Sequence, residues 1–500
     1  MLFNSDTFLF VFLPVTLAGF VALGARRPAA AALWLVAASL VFYGWWNWRD
    51  LWVVIASAAF NFVVAVAIAR SPRGSRRRKV IVGTGVAANV AFLFAFKALV
   101  SPWFGASSDT GSAYTTAAAI AIPLGISFIT FQQIAFLVDV HRGRIQRPRA
   151  LEYAFFLLFF PKLVLGPIVH YRDIAPQLSD PGFGRVRFVD LACGLSILAV
   201  GLAKKVLLAD GIAPWVDGLF ESVARGDSIP AGDALLGAIA FQLQLYFDFS
   251  GYADMAIGTA RLFGVRLPIN FDAPLRSVDR FDAWRRWHIT FGTFMREYVF
   301  HPLARNRVFP MPVWAALFVT AFLGGLWHGL GWTFLAWSLA QAFLLVGQHW
   351  LRRWLPVAPL PGKAGAGYVI HIALTLLVST AFGVLFRAPD LTTALRFFQQ
   401  FAPTTLPPGL SAAIVPPAPI ALWVAVIVGW AAPTTQSLFS RYWTALEPRA
   451  PRDIPPNTEP RFTRHLRFEL NAPWALYVAL LLFASILWLD RTTRHVYFQF

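Results

Sequence analysis

The chain has 500 residues, 57% of them hydrophobic and 14% charged, whereas a soluble globular domain carries about 25% charged residues, so a soluble protein is excluded. Mean hydropathy of +0.59 and 16% aromatic residues, with 20 Trp and 47 Phe, fit helices that meet lipid and end among headgroups. The formal charge of +18 would point to nucleic acid in a soluble domain; in a membrane chain it reads as basic residues kept in cytoplasmic loops against anionic lipid, and no nucleic-acid partner is expected.

In chain order, Met1 to Thr7 carries Asp6 and no Lys or Arg. It therefore lacks the basic start of a cleavable signal peptide, and the first apolar run, 8–24, is expected to be a retained span. Further runs near the ~20 residues of a bilayer crossing follow at about 31–47, 51–69, 80–100, 114–139, 151–169, 187–209 and 234–262. The last ones lie at about 312–350, long enough for two spans, 366–387, 411–432 and 473–489. Arg26 and Arg27, then Arg70 to Lys79, then Arg142 to Arg149 alternate with segments free of Lys and Arg at 1–7 and 101–113. This places the N-terminus outside and the basic loops, including 440–470, in the cytoplasm. FFPKLVLGPIVHY (159–171) is interrupted by Pro and Gly, and a broken or re-entrant helix is expected there. The expected fold is one all-α polytopic membrane domain over 1–500. It holds about 11–13 transmembrane or re-entrant helices around a central catalytic cavity, with amphipathic interfacial helices. The single cysteine, Cys193, sits in an apolar run and reads as core, so neither a disulfide nor a cysteine metal site is expected.

Ionisable groups inside apolar segments are costly and are the candidates for function. In LYFDFSGYADMAIGTARLFG (245–264), Asp248 and Tyr252 share one helical face with Gln244. Ser250 and Asp254 lie nearly opposite, with Tyr246, so the two carboxylates need two polar environments. They are either glue between packed helices or part of a reactive cavity. In 276–307, within a cytoplasmic interfacial segment of about 270–310, Trp284, Trp287 and His288 have i, i+3, i+4 spacing. The segment is either a Trp and Arg anchor or a place where Arg285, Arg286 and Arg296 meet an anionic phosphate. In FLGGLWHGLGWTFLAW (322–337), His328 follows Trp327 between Gly325 and Gly329. Such a small-xxx-small pattern admits another backbone closely, and a neutral imidazole there suits a general base.

The pair WRRWHIT and GGLWHG, with FLFVFLPVTL (8–17), FYGWWNW (42–48), IPLGISFITFQ (122–132), FPKLVLGPIVHYRDIAPQL (160–178), GLAKKVLLAD (201–210), LFRAP (385–389) and YFQF (497–500), resembles the membrane-bound O-acyltransferase family, in its alginate O-acetylation branch. The likeness runs through nearly the whole chain, in order; the polar residue at Lys162 departs from that branch. The resemblance implies a bacterial inner-membrane enzyme that takes acetyl from cytoplasmic acetyl-CoA. It would support O-acetylation of an exported or cell-envelope polysaccharide through an extracytoplasmic acyltransferase partner. It also implies that His328 is the essential membrane-embedded histidine and His288 the second one. On this reading His328 activates the acceptor hydroxyl, Asp248 or another polar group of its helix orients it, and no metal is needed because the thioester is already activated.

The tail RHVYFQF, within 491–500, is either an aromatic interface anchor or a segment folding back so that the Tyr497 hydroxyl relays the acyl group covalently. The rival from another class is a transporter or flippase for a glycan or lipid carrier, which would more naturally show repeated halves with paired broken helices. Within the family, a D-alanyl or lipid acyltransferase is the alternative.

Overall fold

The computed structural model describes residues 1–24, 27–101, 103, 123–305, 310–354, 365–401, 417–442, 444–446 and 466–491. Among these the regular structure is helical, apart from an isolated bridge between Pro268 and Leu446. The first half contains α1 (Thr7–Gly24), α2 (Pro28–Gly44), α3 (Trp48–Arg70), α4 (Arg76–Leu99) and α5 (Ile126–His141). There follow α6 (Ala150–Leu158), α7 (Phe160–Leu163), α8 (Tyr171–Leu178), the long α9 (Phe188–Arg225) and α10 (Ala231–Leu262). The second half contains the short α11 (Arg280–Arg286), α12 (Ile289–Met295) and α13 (His301–Ala304), then α14 (Val313–Leu326), α15 (Trp332–Trp354) and α16 (Ala366–Arg387). The chain closes with α17 (Leu391–Gln399), α18 (Ile420–Ala431), α19 (Thr435–Leu438) and α20 (Ala472–Leu487).

Five helices among the described residues, α1, α3, α4, α9 and α16, are long and apolar enough to cross a membrane, and five shorter apolar ones, α2, α5, α14, α18 and α20, lie beside them. Their outer faces expose large apolar side chains, such as Val63, Phe94, Leu377 and Leu480. A water-facing surface rarely carries such contiguous apolar area; lipid is its natural solvent. The inner layer is α9 and α10. Almost every residue of α10 from Ala240 to Leu262 is buried, and a Cβ added at Gly201 of α9 would stand 2.6 Å from the Gly251 carbonyl of α10. The two backbones meet there because neither carries a side chain.

Two long apolar runs are interrupted, at the places where a broken helix and a pair of spans were expected. The run 151–169 ends its helix at Leu158, turns at Phe159 and resumes only as the four-residue α7. Lys162, fully buried, donates to the freed Leu157 carbonyl at 2.7 Å, bonds Gln132 and lies over the Phe156 ring. Irregular backbone at this depth survives because protein covers it and a side chain satisfies it. The run 312–350 is the hairpin of α14 and α15, with the WHGLG turn between them. The basic start of α4 does more than set orientation, since Arg78 in its first turn is buried and donates to the Val140 and His141 carbonyls at the end of α5. A cation on the last carbonyls of a helix is favourable through both hydrogen bonds and the dipole.

Candidate active site

His288 and His328 lie 40 positions apart in sequence and line one cavity of about 110 Å³. Its other walls come from α10 (Gln242), α11 (Arg280, Trp284), Trp287, α15 (Trp337, Gln341) and α16 (Ser379, Phe386). One water requires about 10–15 Å³ by the same kind of volume, so the cavity has room for several atoms of a reacting group. A chain of rings joins the histidines. His288 packs on Phe291 at 5.1 Å, Phe291 on Trp327 at 5.0 Å, and Trp327 on His328 at 4.3 Å.

His288 stands at a break, not on a continuous interfacial helix. Trp287 is extended and His288 adopts φ +45°, in the left-handed region, a strained state for a residue with a Cβ that costs of order ~1 kcal/mol. The neighbouring strand-like segment compensates. Asp272 N donates to the Arg286 carbonyl at 3.0 Å, and Ile289 N donates to the Asn270 carbonyl at 2.9 Å. The Asn270 side chain then fixes the imidazole. Its Oδ1 accepts from Thr290 N at 3.3 Å and from Thr290 Oγ1 at 2.9 Å. A backbone N–H can only donate, so this atom is an acceptor, and His288 Nδ1, 3.1 Å from it, must carry the proton. Nε2 therefore presents a lone pair, and it has no hydrogen-bond partner among the described residues. A ring nitrogen fixed by its other nitrogen's bond is the usual way a protein selects a tautomer.

His328 sits on the turn that ends α14. Lys97 of α4 donates to its backbone carbonyl at 3.1 Å, and Ser101 donates to the Leu330 carbonyl. These two groups tie the turn's unsatisfied carbonyls to the end of α4, an anchor that the sequence reading did not include. The imidazole is enclosed by Trp327, Phe386 at 5.0 Å and Trp337 at 5.5 Å. The expected close approach is present, because a Cβ on Gly325 would stand 2.8 Å from Ser338 Cα of α15.

The remaining expected residues lie elsewhere. Asp248 pairs with Lys205 at 2.9 Å, and Asp254 pairs with Lys204 at 2.6 Å and accepts from Thr435 at 2.7 Å. The two lysines start a π-helical turn in α9, so the two polar environments that α10 required are adjacent residues of one neighbour. Asp248, Ser250, Tyr252 and Asp254 do not line the cavity, and α10 contributes Gln242 and Leu245 instead. Trp327 touches both histidine layers through its ring without lining the cavity itself. Arg286 is buried between Asp282 at 3.0 Å and Asp272 at 3.3 Å. Arg285 donates to the Phe281 carbonyl at 3.3 Å, and Arg296 begins a π turn. None of these three arginines lines the cavity; α11 turns Arg280, Ala283 and Trp284 towards it, and at about 100° per residue Arg285 and Arg286 fall on its other faces, so the cation that lines the cavity is Arg280. The interfacial charge is held instead by Glu297, which meets Arg172 at 2.8 Å and Arg144 at 3.3 Å. Burial alone would raise the Glu297 carboxyl, but those arginines hold it below the usual range. Tyr497 and the tail lie outside the described residues, as does most of 440–470.

Residues 40–387 match the membrane-bound O-acyltransferase (MBOAT) family, an interval that contains both histidines, Asn270 and Arg280. The chain is 37% identical over 373 residues to the peptidoglycan O-acetyltransferase of Helicobacter pylori, covering 69% of this chain and 70% of that one. It is 34% identical over 406 residues to the probable alginate O-acetylase AlgI of Azotobacter vinelandii, covering 80% and 77%. It is 26% identical over 251 residues to the teichoic acid D-alanyltransferase of Streptococcus thermophilus, covering 48% and 60%. The chain is a multi-pass membrane acyltransferase and belongs to the membrane-bound O-acyltransferase family.

Proposed function

We propose that this enzyme, in the bacterial inner membrane, takes an acetyl group from cytoplasmic acetyl-CoA and passes it towards O-acetylation of a cell-envelope or exported polysaccharide. The observation that carries the reading is the meeting of His288 and His328 in one cavity, one of them with a lone pair of defined direction. The names of two relatives, for peptidoglycan and for alginate, support the acyl group and the acceptor class.

In the transfer, the acceptor hydroxyl attacks the thioester carbon while His328 takes its proton. The tetrahedral intermediate collapses by breaking the carbon–sulfur bond, and the imidazolium returns the proton to the leaving thiolate. Positioned proton transfer of this kind contributes about 10²–10⁴-fold. His288 Nε2 accepts a hydrogen bond from an amide N–H of the donor arm and so orders the thioester beside His328. The acceptor is the polysaccharide or a relay to an extracytoplasmic acyltransferase partner, for which Tyr497 supplies a hydroxyl; anionic lipid surrounds the basic cytoplasmic loops.

The test is direct. Membranes carrying the enzyme, given labelled acetyl-CoA and envelope polysaccharide, should release alkali-labile labelled acetate from the glycan fraction. No transfer from acetyl-CoA, with transfer from a D-alanyl carrier protein, would replace this reading by D-alanylation, the activity named for the teichoic acid relative. Label that crosses the membrane without forming an ester would favour a transporter.

A further inference from the structure

Among the described residues, Arg280 is the only Lys, Arg, Asp or Glu that lines the cavity. Its Nη1 donates to Ser379 at 2.6 Å and its Nη2 to Gln341 at 2.9 Å, both neutral. The adjacent carboxylate, Asp279, is held by Arg352, and Arg280 makes no ion pair among the described residues. Two N–H groups on this face of α11 have no partner there: Arg280 Nε and, four residues on, Trp284 Nε1. Residues i and i+4 face the same way on a helix. A guanidinium anchored by neutral groups in an apolar wall, with donors unpaired, is charged space awaiting an anion.

The position of this cation relates it to the histidines. Phe386 and Trp337 pack on His328. Ser379 precedes Phe386 by seven residues on α16, and Gln341 follows Trp337 by four on α15. At 1.5 Å per residue, Arg280 is roughly 6–10 Å along the helices from the His328 layer. An anion bound there cannot belong to the two-carbon acyl group. It belongs to a remote part of the substrate, on the side where α15 runs towards its basic end at Arg352 and Arg353.

We propose that Arg280, with Trp284, binds the phosphate of a phosphopantetheine-type donor arm beside Gln341 and Ser379, with the thioester end of the arm directed to the histidines. This rests on the acetyl-transfer reading above and assigns its donor specificity to a residue outside the histidine pair. The phosphate has two sources, free acetyl-CoA or the same arm on a carrier protein.

The experiment compares S-acetyl-4′-phosphopantetheine with S-acetylpantetheine, which lacks the phosphate, on the full-length enzyme and on Arg280→Gln and Arg280→Lys. Wild type should prefer the phosphorylated donor in kcat/KM by about 10–100-fold, as a charge-assisted contact to phosphate gives. Arg280→Gln should bring that preference close to one, and Arg280→Lys should restore part of it. The preference is a ratio within one preparation, so partial misfolding does not alter it. Retention of the full preference in Arg280→Gln overturns the proposal, as does a wild type that does not distinguish the donors. Quenching of the cavity tryptophans by non-acylated phosphopantetheine reads the same site without turnover. Quenching lost in Arg280→Gln upholds the phosphate site even if no acetyl is transferred, an outcome that would sink only the functional reading. Acetyl-CoA and an acetylated carrier protein, run in parallel, identify the source.

Discussion

Between α9 and α10, Asp248 and Asp254 each meet a lysine, at 2.9 and 2.6 Å, whereas in the nearby cavity His288 Nε2, Arg280 Nε and Trp284 Nε1 meet no protein partner among the described residues. Both regions place costly polar groups inside an apolar bundle. In the first, the protein supplies the complement itself, and the pairs lock two helices whose glycines already bring their backbones together. In the second, the complement is left to a substrate. A polar residue in a hydrophobic segment thus declares only that a partner exists; whether that partner is protein or ligand separates glue from site.

Substitutions can break this contrast at either side. The largest effect is expected from His328→Ala, a loss of about 10²–10⁴ in acetyl transfer with normal amounts of protein in the membrane; full activity in the inserted variant would remove His328 from the chemistry. Asp254→Asn should act in the opposite way. It leaves Lys204 without a counter-charge, so thermal unfolding in detergent should show a loss of about 3 kcal/mol while the folded fraction keeps its specific activity. An activity loss in that fraction would join α10's carboxylates to the site after all. Asn270→Ala releases the His288 ring to either tautomer and should lower kcat/KM about 10-fold, mainly through KM for the donor. A loss confined to kcat would transfer the role of base to His288. The smallest effect is expected at Arg285, whose replacement by Ala should change donor affinity by less than about twofold, the ordinary result away from a site; a 10-fold change would restore the original expectation that this arginine meets phosphate.

Much of this was legible in the residues. The two histidines, the packing glycine at 325 and the broken segment at 159–171 all announce themselves, because Pro, Gly and an isolated imidazole are conspicuous in an apolar run. The arginine that lines the cavity was not. Arg280 lies in a stretch that also contains Arg276, Arg285 and Arg286, and the expected phosphate contacts were Arg285, Arg286 and Arg296, whose guanidinium groups suit an anion. Arg286 turns to Asp272 and Asp282, whereas α11 presents the face of Arg280, Ala283 and Trp284 to the cavity. Asn270 was equally silent, since its role depends on an imidazole eighteen residues away and a backbone N–H twenty residues away in sequence.

Composition and periodicity determined by themselves that this chain is a helical membrane protein, because the bilayer sets the length and apolarity of what can cross it. The motifs determined the family. Only the tertiary structure decided which charges are spent on each other and which face the cavity. Such pairing depends on distances of 3 Å between segments far apart in the chain, and no spacing within a single helix encodes them.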